Sequence, residues 1–200
     1  MPNWSSGNVS ISGKKENVKE FLKFFVYQDE ANGEELDRRY FARSFIQENT
    51  YQELIDKHKE EFENKEETIN IDVYTEFAWS VYSCLIDGYP QETPNKNLTI
   101  IEALKKYPVT ISIETEEPNM GFEEELYYNT AYTEMVYKEY SMPVYACKKC
   151  GYEITAPTNL DVSELGELEC YGCENCEAEE FEMKEESKLN ETEKYKIKEE

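Results

Sequence analysis

Positive charge is scarce in this chain: 21 Lys and Arg stand against 44 Asp and Glu in 200 residues, giving a formal net charge of −23 and a sequence pI near 4.4. Duplex binding is driven by cations that neutralise phosphates and release counterions, so this balance excludes direct nucleic-acid binding, and no basic patch reverses it. Histidine is scarcer still. His58 is alone, and no recognisable nucleophile motif accompanies it. The eight glycines are scattered, so no Gly-rich loop is available to cradle a phosphate. No apolar run approaches the roughly 18 residues of a membrane span. Residues 1–7 carry neither a basic nor an apolar leader segment, and the expectation is a soluble protein of the cytoplasm without membrane contact.

What is present is enough for a packed core. Hydrophobic residues make up 39% and aromatics 14%, with 16 Tyr, which argues against global disorder despite a mean hydropathy of −0.80. Residues 8–12 alternate apolar and polar, then Val18, Phe21, Leu22, Phe25 and Val26 recur at helical spacing, which predicts a strand followed by an amphipathic helix. Residues 29–67 read as a helical insertion, with a capping box at Thr50–Glu53 and an apolar face of Tyr51, Leu54, Ile55 and Phe62. Ile69 to Phe77 alternate as a half-buried strand, and Thr99–Glu102 opens a short helix that Pro108 ends. Val109, Ile111 and Ile113 form the next strand, and the turn at Glu117–Gly121 returns it through Phe122, Leu126 and Tyr128. The expected fold class is therefore α+β, a sandwich with helices on one sheet face.

The opening Met-Pro-Asn-Trp, the strand running into Phe77-Ala78-Trp79-Ser80, and Leu104-Lys105-Lys106-Tyr107-Pro108 leading into Glu116 to Phe122 resemble the YubB-like domain family of phages and plasmids. Ser5 departs from the Cys of that pattern. The resemblance covers about residues 1–130 and implies a ferredoxin-like fold and a mobile-element origin, and it transfers no activity. The strand and helix order read from the residues is β-α-β-α-β-β. The expected organisation is a ferredoxin-like domain over 1–140 with the insertion at 29–67, a metal module over 141–183, and a disordered acidic and Lys-mixed tail over 184–200. Residues 130–146 bridge the two modules with a Tyr-rich segment that includes one helix.

Five of the six cysteines fall within thirty residues, as Cys147-Lys-Lys-Cys150 and Cys170-Tyr-Gly-Cys173-Glu-Asn-Cys176. Paired C-x2-C turns bring four thiolates to one ion tetrahedrally, the chemistry of structural zinc. Pairing Cys170 with Cys173 leaves 19 residues after Cys150, and pairing Cys173 with Cys176 leaves 22, so spacing leaves the second pair open. The run from Tyr145 to Glu153 followed by Cys173, Cys176 and Phe181-Glu182 resembles the two knuckles of a rubredoxin-like ribbon. That resemblance implies Cys147, Cys150, Cys173 and Cys176 as ligands, although Glu177 stands where glycine is usual. The same ligands hold iron for single-electron transfer, the redox alternative to zinc. A full set of four thiolates leaves no open position for catalysis.

His58 falls at helical spacing from Leu54 and Ile55 and reads as a half-buried residue of an amphipathic face. Cys84 reads as a small buried hydrophobe. Glu114, Glu116 and Glu117 face Glu123, Glu124 and Glu125 across the hairpin, as a partner-binding acidic surface, as paired carboxylates for acid–base chemistry or a hard metal, or as a solvated edge that discourages strand aggregation. Acids outnumber bases 28 to 16 in residues 1–150 and 16 to 5 in residues 151–200. Duplex DNA carries about 24 phosphates over the roughly 40 Å breadth of such a domain, a charge of the same size. The expectation is a non-catalytic acidic protein of a mobile element that binds a basic, nucleic-acid-binding host or defence protein by DNA mimicry. The alternatives are a zinc-ribbon adaptor on a transcription or replication complex and a rubredoxin-like electron carrier.

Overall fold

Alternation decides the first element. Strand β1, Trp4–Lys14, turns Val9 and Ile11 to one side, where both are fully buried, and Ser6, Asn8, Ser10 and Ser12 to the other. In this computed structural model the described residues are 3–25, 44–46, 51–86, 99–158 and 180–199. Helix α1, Lys15–Phe25, follows directly and lays Val18, Phe21 and Leu22 into the same core. Next come β2 (Ser44–Ile46), α2 (Tyr51–Lys57), α3 (Lys59–Glu63) and β3 (Thr68–Ala78). A π-helical turn at Tyr82–Ile86 and helix α4, Ile100–Lys106, lead into β4 (Thr110–Glu117), β5 (Phe122–Tyr128) and β6 (Glu134–Ser141). Strands β7 (Val144–Cys147), β8 (Glu153–Thr155), β9 (Phe181–Glu185) and β10 (Lys188–Lys196) complete the chain.

Seven strands form one sheet in the order β10-β6-β5-β4-β1-β3-β2, and every neighbouring pair is antiparallel. One face carries Val9, Ile11, Ile71, Val73, Ile111, Ile113 and Leu126 against Phe21, Leu22, Leu54, Leu85, Ile100 and Leu104 of the helical layer. Each such side chain contributes about 1.5–3 kcal/mol on leaving water. The α+β class is as the periodicity predicts. Thr99 caps α4, its Oγ1 accepting from the Glu102 amide while the Glu102 carboxylate accepts from the Thr99 amide, as the capping box requires.

Three expectations are corrected. The tail at 184–200 is not disordered: β10 pairs with β6 from Lys188↔Ser141 to Lys196↔Glu134. Tyr195 and the buried Ile197 anchor it to the core, a small apolar content that backbone pairing supplements. The bridge at 130–146 holds no helix but strands β6 and β7, with Met135 and Tyr137 alternating into the core. The insertion is helical at α2 and α3, yet Ser44–Ile46 is a short strand pairing with β3. Its residues 29–43 and 47–50, including the cap at Thr50, lie outside the described residues, as do residues 159–179 of the expected ribbon.

The remaining strands form a separate three-stranded sheet, β8-β7-β9, with Met142, Tyr145, Cys147, Ala156 and Phe181 buried around it. It abuts the β4–β5 turn, where the Thr155 hydroxyl donates to the Pro118 carbonyl at 3.3 Å. Gly121 there has φ +71, and a Cβ would come 3.3 Å from the Thr155 methyl, so glycine serves both the turn and the contact.

Candidate functional site

Among the described residues the second face of the large sheet has no layer over its centre, where polar side chains predominate. Asp72, Tyr74 and Glu76 of β3, Ser6, Asn8, Ser10 and Ser12 of β1, Glu114 and Glu116 of β4, and Glu123, Glu125 and Tyr127 of β5 share it by strand parity. Glu114 stands directly opposite Glu125, and Glu116 opposite Glu123. Like charges in direct cross-strand register oppose sheet formation. Because β4 and β5 are inner strands, these glutamates protect no edge, which corrects the reading of the hairpin as a solvated acidic edge.

Among the described residues only one member of each pair is compensated. Lys138 Nζ lies 3.2 Å from Glu125 Oε2, and the Tyr140 hydroxyl donates to the same oxygen at 3.1 Å. Glu123 accepts from the Thr158 amide at 2.6 Å and from its hydroxyl at 2.7 Å. Burial, together with the charge of Glu123, pushes the Glu116 carboxyl above its ordinary range. A concavity of about 440 Å³ opens over these carboxylates, flanked by Tyr74 on one side and by Tyr140 and Thr158 on the other.

Glu117 and Glu124 do not belong to this surface. Both are buried, on the covered face, so a partner docking on the open face meets four of the six expected glutamates and not these two. Glu117 closes the β4–β5 turn, accepting from the Met120 amide and from Asn119 Nδ2. Glu124 is tied more extensively. Its Oε2 accepts from the Val81 amide at 2.8 Å and from the Ser5 hydroxyl at 3.1 Å, and its Oε1 from the Tyr137 hydroxyl at 2.8 Å and the Tyr82 amide at 3.2 Å. The carboxylate therefore caps the π-helical turn and joins it to β1 and β6. Burial pushes the Glu124 carboxyl up, against the lowering effect of these donors. Burial also raises the Tyr137 phenol, as does the charge of Glu124, so Tyr137 stays a donor. The sequence signal for this cage was Ser5 and Thr115, hydroxyls at core-facing positions of two strands.

The cysteine turn is positioned by β7. Cys147 ends that strand and is buried, whereas Cys150 is exposed. The Gly151 amide donates to the Cys147 carbonyl at 2.8 Å and the Cys147 amide to the Tyr152 carbonyl at 2.8 Å, folding the segment back on itself. Gly151 has φ +76, a conformation that favours glycine. Residues three apart across such a turn fit two thiolates of a tetrahedral ion. Cys170, Cys173 and Cys176 lie outside the described residues. Among the described residues no group of three or more His, Cys, Asp or Glu is arranged to hold a metal.

His58 sits between α2 and α3, buried, with Nδ1 3.8 Å from Glu61 Oε1. Cys84 is buried in the π-helical turn, its Sγ 3.3 Å from the Ala78 carbonyl. Cys84 is buried as expected, whereas His58 is more buried than the half-buried helical position expected for it and takes the N-cap position of α3 instead. No helix among the described residues is long and apolar enough to cross a membrane. No protein-family model, curated protein or solved structure matches this chain.

Proposed function

We propose that this is a non-catalytic acidic interaction protein that binds a basic, nucleic-acid-binding protein by occupying the surface where that partner holds duplex phosphates. The observation that carries the reading is the pair of glutamate rows, Glu114 against Glu125 and Glu116 against Glu123, on an open face at the sheet centre. Sheet stability disfavours that placement, and a cationic partner would relieve it. The overall charge of −23 supports the same reading through long-range attraction to basic surfaces. The test is capture on the tagged protein from an extract of its source cell, washed through a salt series, with duplex DNA as competitor. A retained basic protein released by salt and by duplex supports the function; retention of nothing basic contradicts it.

A structural zinc ion held by Cys147, Cys150, Cys173 and Cys176 belongs to the proposal. The ion would cross-link a three-stranded module whose own core is small. Its support is the turn at Cys147–Gly151. Metal analysis should find one equivalent of zinc in colourless protein, and Cys147→Ser should lose it; a visible charge-transfer band would instead assign iron. For residues 1–130 we also propose kinship with the YubB-like domains. Trp4, Phe77-Ala78 and Leu104 to Lys106 fall at the start of β1, the end of β3 and the end of α4. The element order differs from the β-α-β-β-α-β ferredoxin-like plan, so the kinship entails a rearranged connection.

A further inference from the structure

The residue that follows β3 holds a backbone conformation that side chains avoid. Trp79 has φ +75, and among the described residues it is the one non-glycine in the left-handed region, where a Cβ crowds the following carbonyl. Its neighbours impose that conformation. The Trp79 amide donates to the Asn3 carbonyl at 2.8 Å, and two residues on the Val81 amide donates to the buried Glu124 carboxylate at 2.8 Å. The Ser80 hydroxyl accepts from the Ser83 amide at 2.9 Å. Strand and π-helical turn are thus both fixed, and residue 79 absorbs the change of direction between them.

Glycine would adopt this conformation freely, yet the position carries the largest of side chains. The fold gains little from the ring. Trp79 is 46% exposed and lies outside the core, and among the described residues its indole makes no hydrogen bond, ring contact or cation contact. A lone exposed apolar side chain is ordinary, but one kept at the cost of backbone strain points to a use outside the fold. Its place adjoins the open face. Glu76, about 10 Å earlier along the chain, begins a row that runs through Ser6 and Glu116 to Glu123.

Resting on the function proposed above, we propose that Trp79 is the aromatic anchor of the interface, its indole buried against the basic partner while Glu76 and Glu116 meet cations around it. Tryptophan is enriched among the few residues that carry most of an interface's energy, and the indole is the best ring face for a cation. Charge complementarity chooses a cationic protein as the occupant, since a second copy of this chain would set carboxylates against carboxylates.

The probe is the basic protein retained in the capture experiment, purified and bound to a labelled duplex, with release of the duplex read as anisotropy. Trp79→Gly should need more than about tenfold higher concentration for half release, while unfolding at no lower denaturant concentration than the unmodified protein. Trp79→Ala should lose the same affinity but unfold at lower denaturant than the glycine variant, because alanine keeps the strain. Tyr132→Leu, at the opposite end of the sheet and 56% exposed, should leave release unchanged. A glycine variant that releases the duplex as well as the unmodified protein overturns the inference and leaves the proposed function standing. So does a glycine variant that unfolds at lower denaturant, because the ring would then serve packing. Equal stability of the glycine and alanine variants removes the strain and overturns the inference, as does equal weakening by Tyr132→Leu. A capture that retains nothing basic overturns the inference and the function together.

Discussion

Glu124 is the residue on which the most distant segments converge. Its carboxylate takes donors from β1, β6 and the start of the π-helical turn, and it is buried. Tyr137→Phe removes one donor and keeps the ring that lies 5.4 Å from Tyr82. The expected loss is about 1.5–3 kcal/mol, as for a buried hydrogen bond to a charged group, read as a lower denaturant midpoint at unchanged slope. The pH dependence has a definite sign. The folded-state carboxyl is raised by burial, so its contribution to stability is fully present below the ordinary carboxylate range and is lost as pH rises through the raised pKa. Glu124→Gln cannot ionise, so the stability of that variant relative to the unmodified protein should climb across this window. Parallel stability profiles for the two proteins would refute the raised pKa. Strand parity already divides Glu114 and Glu116 from Glu117, and Glu123 and Glu125 from Glu124. That division was therefore legible in the sequence once the hairpin was recognised. The cage was not, because Ser5, Val81, Tyr82 and Tyr137 are far apart along the chain and only pairing brings them together.

At the scale of elements, legibility followed the density of apolar alternation. β1, β3, β4 and β5 each bury several alternating aliphatic side chains, and that pattern predicts them. β6 buries only Met135 and Tyr137, and β10 places Lys, Glu and Thr in most positions. Their strand state comes from backbone pairing with a neighbour that the sequence does not name. Such an edge strand also covers hydrogen-bonding groups that would otherwise template association. Removing residues 188–200 should therefore expose the β6 edge and take Ile197 out of the core. The burial of Ile197 alone is worth about 1.5–3 kcal/mol. The shortened protein should unfold at lower denaturant and sediment as larger species. A monomer of unchanged stability would show that β10 contributes neither packing nor edge protection.

The whole molecule divides its acidity unevenly in consequence. Many of the 44 acids are solvated, and charge of this size keeps any compact protein soluble. The open face differs because its glutamates oppose one another in register at the sheet centre, with one member of each pair neutralised by Lys138 or bound by Thr158. The sequence established the sign and size of the charge, whereas the sheet order establishes which hairpin glutamates share the open face. The salt dependence of partner binding should track that face, since exposed charges are screened beyond about 10 Å at 0.1 M salt. The most direct measurement is the anisotropy of a labelled duplex bound to the purified partner, titrated with this protein. The account predicts full release of the duplex by the unmodified protein, and release by the Glu114→Gln, Glu116→Gln variant only at more than about tenfold higher concentration, as for loss of roughly 1.4 kcal/mol of interface. A duplex that stays bound at saturating protein, or equal competition by the two proteins, would contradict it.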